Sequence, residues 1–246
     1  MSRQRLGQHF LIRGSVLERI ARAACPEPQA LVIEIGPGRG ALTAKLLERA
    51  ARVVAIEIDR ELAAHLRTRY AADNRLEVIE ADVLAVDLAQ WGPAPIAGNL
   101  PYYIASPILE HALRLRPPRA VFLLQKEVAR RLVAQPGSRD YGYLTVATAV
   151  FASARMLCEV PPAAFRPPPK VDSAAVVFTP RVPAMAGAEG FLEFAAQCFR
   201  HKRKTIRNNL AVVYGRDVVE NWPEAALRAE QLSLPQLEEM WRRTQP

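Results

Sequence analysis

"ALVIEIGPGRGALTAKLLERA", residues 30–50, limits the fold more than any other stretch of the chain. A short apolar run ends in three glycines at alternate positions, and an amphipathic segment starts at once. An apolar run of that length, closed by glycine, reads as a strand buried on both faces. The glycines permit a tight turn into a helix whose first N–H groups can face a ligand. The pattern then repeats through "RVVAIEID", "RELAAHLRTRYAA", "RLEVIEAD", "PIAGNL" and "RAVFLLQ". Strands alternating with helices predict an α/β fold built on a mostly parallel sheet. "ARMLCEV" and "SAAVVFTP" read as a final strand pair, joined by the proline-rich "PPAAFRPPPKVD". Between them and the earlier strands, "YLTVATAVFASA" fits either helix or strand, because its apolar residues follow neither period.

The character of the chain changes between Pro180 and Gly190. Beyond it, "FLEFAAQCFRHKRKTIRNNLAVVY", "EAALRAEQLS" and "PQLEEMWRR" read as helices, the last opened by Ser233 as cap and Pro235 in its first turn. The expected organisation is an α/β domain over residues 1–182 and a small helical domain over 183–246.

Hydrophobic residues make up 50% and charged residues 24% of the 246, which excludes a disordered chain. No apolar run approaches the ~18 residues needed to span a bilayer, and the N-terminus lacks the apolar core of a secretory signal. These features predict a cytoplasmic protein with no membrane partner. Cys25, Cys158 and Cys198 are far apart, and the four histidines are equally scattered, so neither a disulfide framework nor a metal site is expected. Lys and Arg number 33 against 25 Asp and Glu, a net charge of +8. That balance fits a polyanionic partner, or merely an arginine-rich solubilising surface.

The glycine loop by itself does not choose a cofactor, since Gly36, Gly38 and Ala41 also satisfy the loose dinucleotide pattern. Glu57 ends the second strand about 20 residues later, where an acid can bind ribose hydroxyls. Asp82 follows the third strand, where a carboxylate can accept from the amine of an adenine. "GNLPYYI" (Gly98 to Ile104) follows the fourth. A turn needs only the asparagine and the proline, so the aromatic rings call for a further reason. An Asn99 side-chain oxygen and the Leu100 carbonyl, held by Pro101, can accept both N–H bonds of an exocyclic amine and make its nitrogen nucleophilic. The Tyr102 ring can pack against the base.

Eight ordered stretches carry a resemblance: "RLGQHFL", "VIEIGPGRGALT", "AIEID", "EADVLAVD", "GNLPYYI", "LLQKEVARRL", "FRPPPKVDSAAVVF" and "FRHKRKTIRNNL". On these the chain resembles the KsgA/RsmA-type small-subunit ribosomal RNA adenine N6,N6-dimethyltransferases, with "NLPY" as the amino-methyltransferase signature. The resemblance implies a class I, Rossmann-like fold and S-adenosylmethionine as donor. It implies transfer of methyl groups to the N6 amines of two adjacent adenosines near the 3′ end of small-subunit rRNA. It places the donor against His9, Leu11, Gly36, Glu57, Asp82 and Asn99. The target base falls to Asn99, Leu100, Pro101, Tyr102 and Phe165, although a phenylalanine in a proline-rich loop is ordinarily a packing anchor. Relatives often carry Asn where this chain has His9, so contact there would come from a ring nitrogen or from backbone. Only five residues precede "LGQHFL", which suggests an abbreviated N-terminal lid.

Arg200, Lys202, Arg203, Lys204 and Arg207 would form an outward basic face of a helix whose apolar side is Phe194, Cys198, Ile206 and Leu210, as contact with an rRNA backbone requires. A monomer is expected. Three other readings compete: a large-subunit rRNA methyltransferase of the resistance type, a non-catalytic ribosome-assembly factor, and a nicotinamide oxidoreductase. The last leaves "NLPY" and the basic tail unexplained.

Overall fold

The computed structural model describes residues 9–245. "RLGQHFL" begins outside this range, as does the expected N-terminal lid. The described chain starts with β1 (Phe10–Leu11) and α1 (Gly14–Ala24), followed by β2 (Val32–Ile35) and α2 (Ala41–Leu47). Next come β3 (Val53–Glu57), α3 (Arg60–Arg69), β4 (Leu76–Glu80), β5 (Ile96–Asn99), α4 (Ala105–Arg114) and β6 (Ala120–Gln125). Then follow α5 (Lys126–Leu132), α6 (Tyr143–Phe151), β7 (Ala152–Val160), β8 (Phe165–Arg166) and β9 (Ser173–Pro180). The remainder is helical: α7 (Ala188–Cys198), α8 (Ile206–Tyr214), α9 (Arg216–Val219) and α10 (Leu234–Arg242).

Seven strands form one sheet in the order β4-β3-β2-β5-β6-β9-β7. The first five are parallel to one another, and β9 runs antiparallel to both β6 and β7. Every residue of β2 and β3 is buried, as expected of strands covered on both faces. Strand order reverses between β2 and β5, which opens a crevice beyond their C-terminal ends. Gly98 belongs to that junction. A Cβ there would overlap the carbonyl oxygen of Ile35 on β2, so only glycine lets the two strands pair. A separate two-stranded ribbon pairs β1 with β8, setting Leu11 opposite Phe165.

The chain divides into two compact units, residues up to Ala129 with Ala152–Pro180, and Arg130–Phe151 with Arg181–Pro246. The sequence expectation put residues 130–151 with the sheet, whereas the structure groups them with the helical tail. The undecided "YLTVATAVFASA" resolves into both alternatives, helix through Phe151 and strand from Ala152. Within the second unit, the Thr145 hydroxyl donates to the Arg131 carbonyl at 2.6 Å, and the Arg181 N–H donates to the Phe151 carbonyl at 2.8 Å. A sliding hydrophobic period contains neither contact.

Two tail expectations are corrected. "FLEFAAQCFRHKRKTIRNNLAVVY" is two helices, with the basic run in the turn between them. Like charges one helical turn apart disfavour a continuous helix there, and Thr205 restarts it by accepting from the Asn208 N–H. "EAALRAEQLS" forms turns and a single 3-10 stretch at Ala229–Gln231. Its carbonyls serve another purpose: Leu227 and Ala225 accept from the N–H groups of Ile206 and Arg207, donors that have no partner within α8. Ser233 caps α10 as expected, in a capping box with Gln236.

Asn209 shapes the basic turn. Its side chain is 4% exposed, donates to the carbonyls of Cys198 (2.9 Å) and His201 (3.2 Å), and accepts from the His201 N–H (3.2 Å). Asn209→Ala strands these groups, and unfolding measurements should show a loss of about 2 kcal/mol. A loss below about 0.5 kcal/mol, within the range of a surface change, would mean that water replaces the amide.

Among the described residues, no helix is long and apolar enough to cross a membrane, and no group of three His, Cys, Asp or Glu could hold a metal ion. The three cysteines are free thiols. Burial pushes Cys25 up to about 11 and Cys198 to about 12, which keeps both unreactive at neutral pH.

Candidate functional site

The ends of β2, β3 and β5 and the segment after β4 converge on one cleft. His9, Leu11, Gly36, Glu57, Asp82, Asn99, Leu100, Pro101 and Tyr102 all line it. Those nine were expected together and are found together. Phe165 does not line it. The ring is 3% exposed and packs in the hydrophobic core with Leu11, Leu17 and Val160. The β1–β8 ribbon fixes the backbone of Phe165 opposite Leu11, so the packing-anchor alternative describes it.

The glycine loop and Glu57 hold each other. The Gly38 N–H donates to Glu57 Oε2 at 2.9 Å, and the Asp59 N–H donates to Oε1 at 3.0 Å. Burial raises the Glu57 carboxyl above its ordinary range, and the two N–H groups oppose that rise. Gly38 has φ +58°, and a Cβ there would press on the Phe10 ring at 3.0 Å, so the loop can follow this path only with glycine. Asp82 is exposed and accepts from the Leu84 N–H at 3.0 Å, so it caps a short 3-10 turn while also facing the cleft.

Asn99 ends β5. Its Nδ2 donates to the His9 carbonyl at 3.0 Å, and among the described residues its Oδ1 has no hydrogen-bond partner. His9 is itself held by a 2.9 Å bond from its Nδ1 to the Pro167 carbonyl oxygen. The His9 and Tyr102 rings lie at 27° with centroids 6.0 Å apart. The Tyr102 hydroxyl pairs with Ser173 Oγ at 2.6 Å, and the Leu100 N–H donates to Leu123 O. "NLPY" is therefore anchored from three directions, and among the described residues Asn99 Oδ1 and the Leu100 carbonyl oxygen are left uncommitted.

Glu34 lies below the glycine loop, 1% exposed, and accepts from the Thr43 hydroxyl at 2.6 Å. Burial pushes its carboxyl up to about 8, the Thr43 bond opposes this, and Glu57 adds to it. The folded value lies above the ordinary 4.5, so the folded state holds more protons between those limits. Stability should therefore fall as pH rises through that window. In thermal denaturation at pH 5 and pH 8, the unmodified protein should lose more Tm than Glu34→Gln, and equal losses would overturn this. Thr43 and Ser173 were missed by sequence reasoning, since both work through contacts that no local pattern announces.

The five basic residues divide. Arg200, Lys202, Arg203 and Lys204 are exposed in the turn between α7 and α8, whereas Arg207, on α8, is half-buried. Lys202 Nζ donates to the Arg139 carbonyl at 2.7 Å, which ties that turn to the segment before α6 in the same unit.

The sequence matches the family described as ribosomal RNA adenine dimethylase over residues 1–238. The chain belongs to the ribosomal RNA adenine dimethylase family. It is 42% identical to the ribosomal RNA small subunit methyltransferase A of Acidobacterium capsulatum, covering 97% of this chain and 89% of that protein. Identity to the protein of the same name from Thermosynechococcus vestitus is also 42%, over 95% and 93%. Among solved structures, a dimethyladenosine transferase from Plasmodium falciparum superposes with a TM-score of 0.81 at 27% identity, over 96% of this chain and 98% of that one. The 23S rRNA methyltransferase ErmE superposes with a TM-score of 0.74 at 31% identity, over 95% and 99%. The Rossmann-like methyltransferase fold is thereby established.

As a dimethylase, this protein uses S-adenosylmethionine and acts on RNA. The cleft fits that donor. Glu57 offers a carboxylate at the strand end, Asp82 offers a second, and a Cβ added to Gly36 would fill the space toward the Asn99 carbonyl, 3.5 Å away.

Proposed function

We propose that this protein dimethylates the N6 amines of two adjacent adenosines near the 3′ end of small-subunit rRNA, as a cytoplasmic monomer acting in ribosome biogenesis. The observation that carries the chemistry is Asn99, pinned through Nδ2 to the His9 carbonyl with Oδ1 left to accept. Bound S-adenosylmethionine supplies an electrophilic methyl group. Glu57 binds the ribose, Asp82 the adenine amine, and Gly36 and Leu11 the walls between them. His9 orients Asn99 through its carbonyl.

Adenine N6 is a poor nucleophile because its lone pair is delocalised into the ring. Acceptance of its two N–H bonds by Asn99 Oδ1 and the Leu100 carbonyl localises that pair, and the bonds strengthen as positive charge develops on nitrogen. Tyr102, its hydroxyl held by Ser173, packs on the base. Water takes the released proton, so no general base is needed. Arg200, Lys202, Arg203, Lys204 and Arg207 supply sequence-independent contact with the rRNA backbone.

Transfer of labelled methyl from S-adenosylmethionine to unmodified small ribosomal subunits, mapped by mass spectrometry, tests the reading. Dimethyladenosine at an adjacent pair near the 3′ end is expected. Transfer to large-subunit RNA instead would make this a resistance-type enzyme. Donor binding without transfer to either would favour an assembly factor.

A further inference from the structure

The second ring of "GNLPYYI" has no part in the chemistry above. Tyr103 lines the same cleft as Asn99 and Tyr102 yet is 65% exposed, far more than any other aromatic ring at the site. Tyr102 is half-buried and fixed to Ser173, whereas no hydrogen bond or ring contact to Tyr103 is present among the described residues. Exposure of a single ring asks for no explanation by itself, but this one stands on the lining of the proposed base-binding cleft, where it offers an aromatic face to a flat partner. Its backbone is already ordered: Pro101 precedes it, the Ile104 N–H donates to the Pro101 carbonyl at 3.1 Å, and α4 begins two residues later. Stacking on this ring therefore costs little ordering of the protein.

We propose that Tyr103 is an RNA-binding residue whose ring stacks on the nucleobase next to the one held by Asn99 and Tyr102. The inference rests on the proposed RNA adenine substrate and adds a second base subsite. An extruded base leaves its neighbour with one face unstacked, and an exposed ring beside the entry point restores that stack. The subsite would read the presence of a flat base and not its hydrogen-bonding edge, since a stacked ring meets the base through its π-face and leaves its hydroxyl at the rim.

The test uses small subunits reconstituted with rRNA whose 3′ segment is synthetic, carrying either the natural neighbour base or an abasic site. Tyr103→Ala should raise KM for the natural substrate about tenfold, the scale of one base–aromatic stack, with kcat within about twofold. Tyr103→Phe should match the unmodified protein. The abasic substrate should cost the unmodified protein the same factor and Tyr103→Ala nothing further. Fluorescence of 2-aminopurine at the neighbour position should be quenched on binding to the unmodified protein and not to Tyr103→Ala. That readout needs no turnover, so loss of the proposed activity would be seen separately from loss of stacking. Unchanged KM and quenching in Tyr103→Ala, or independent and additive losses with the abasic substrate, would overturn the proposal.

Discussion

Asn99→Ala should lower the rate of methyl transfer by about 10²–10³-fold while binding of unmodified small subunits is retained. The size follows from removing one pre-positioned group whose interaction grows in the transition state. Asn99 is such a group because its orientation is set before substrate arrives, with Nδ2 spent on the His9 carbonyl at 3.0 Å. The amide cannot turn its nitrogen toward the substrate amine without giving up that bond. Asn99→Asp discriminates further: it keeps an oxygen for the substrate but faces the His9 carbonyl with a second acceptor. It should be nearly as inactive as the alanine variant. Single-turnover transfer with saturating donor, beside a filter-binding measurement with rRNA, separates chemistry from binding. Full activity in Asn99→Ala would sink the mechanism, and full activity in Asn99→Asp would show that the His9 link is dispensable.

Glu57→Ala should weaken S-adenosylmethionine binding by about 100-fold, more than loss of a single neutral hydrogen bond explains. Two effects add. The ribose loses its carboxylate partner, and the Gly38 and Asp59 N–H groups lose the acceptors found at 2.9 and 3.0 Å. The glycine loop is thereby released as well as the ligand contact. Glu57→Gln retains one oxygen, can satisfy one of those N–H groups, and should lie about tenfold from the unmodified protein. Calorimetric titration with the donor gives the affinities. Alanine and glutamine variants with equal affinity would mean that the loop holds its shape without the carboxylate. An alanine variant with undiminished affinity would remove Glu57 from the donor site.

Much of this site could be read from the linear chain, for identifiable reasons. Strands β2 and β3 are buried on both faces, so their apolar runs stand out against the charged helices around them. Glu57 closes β3, Asp82 lies two residues beyond β4, and parallel strands carry their ends to the same side. Asn99, Leu100, Pro101 and Tyr102 form one contiguous signature. The failures have causes of equal clarity. The resemblance assigns Phe165 to the base, yet pairing of β1 with β8 sets it in the core opposite Leu11. The basic run looked helical because Phe194, Cys198, Ile206 and Leu210 keep a helical spacing, and all four are indeed buried. Asn209 nevertheless interrupts the helix by bonding to Cys198 and His201.

By itself, then, the sequence determined the alternation that makes a parallel sheet, the glycine loop, the two strand-end acids and the "NLPY" segment. All of these are signals confined to a few neighbouring residues, where burial and backbone freedom dictate residue type directly. The tertiary structure alone decided that Asn99 is oriented by the His9 carbonyl, that Tyr102 is held by Ser173, that Glu34 is buried against the Thr43 hydroxyl, and that residues 130–151 join the helical unit. The Asn99–His9 and Tyr102–Ser173 contacts join residues 90 and 71 positions apart. Such pairings depend on which segments meet at the edge of the cleft when the chain folds, and no local period records them.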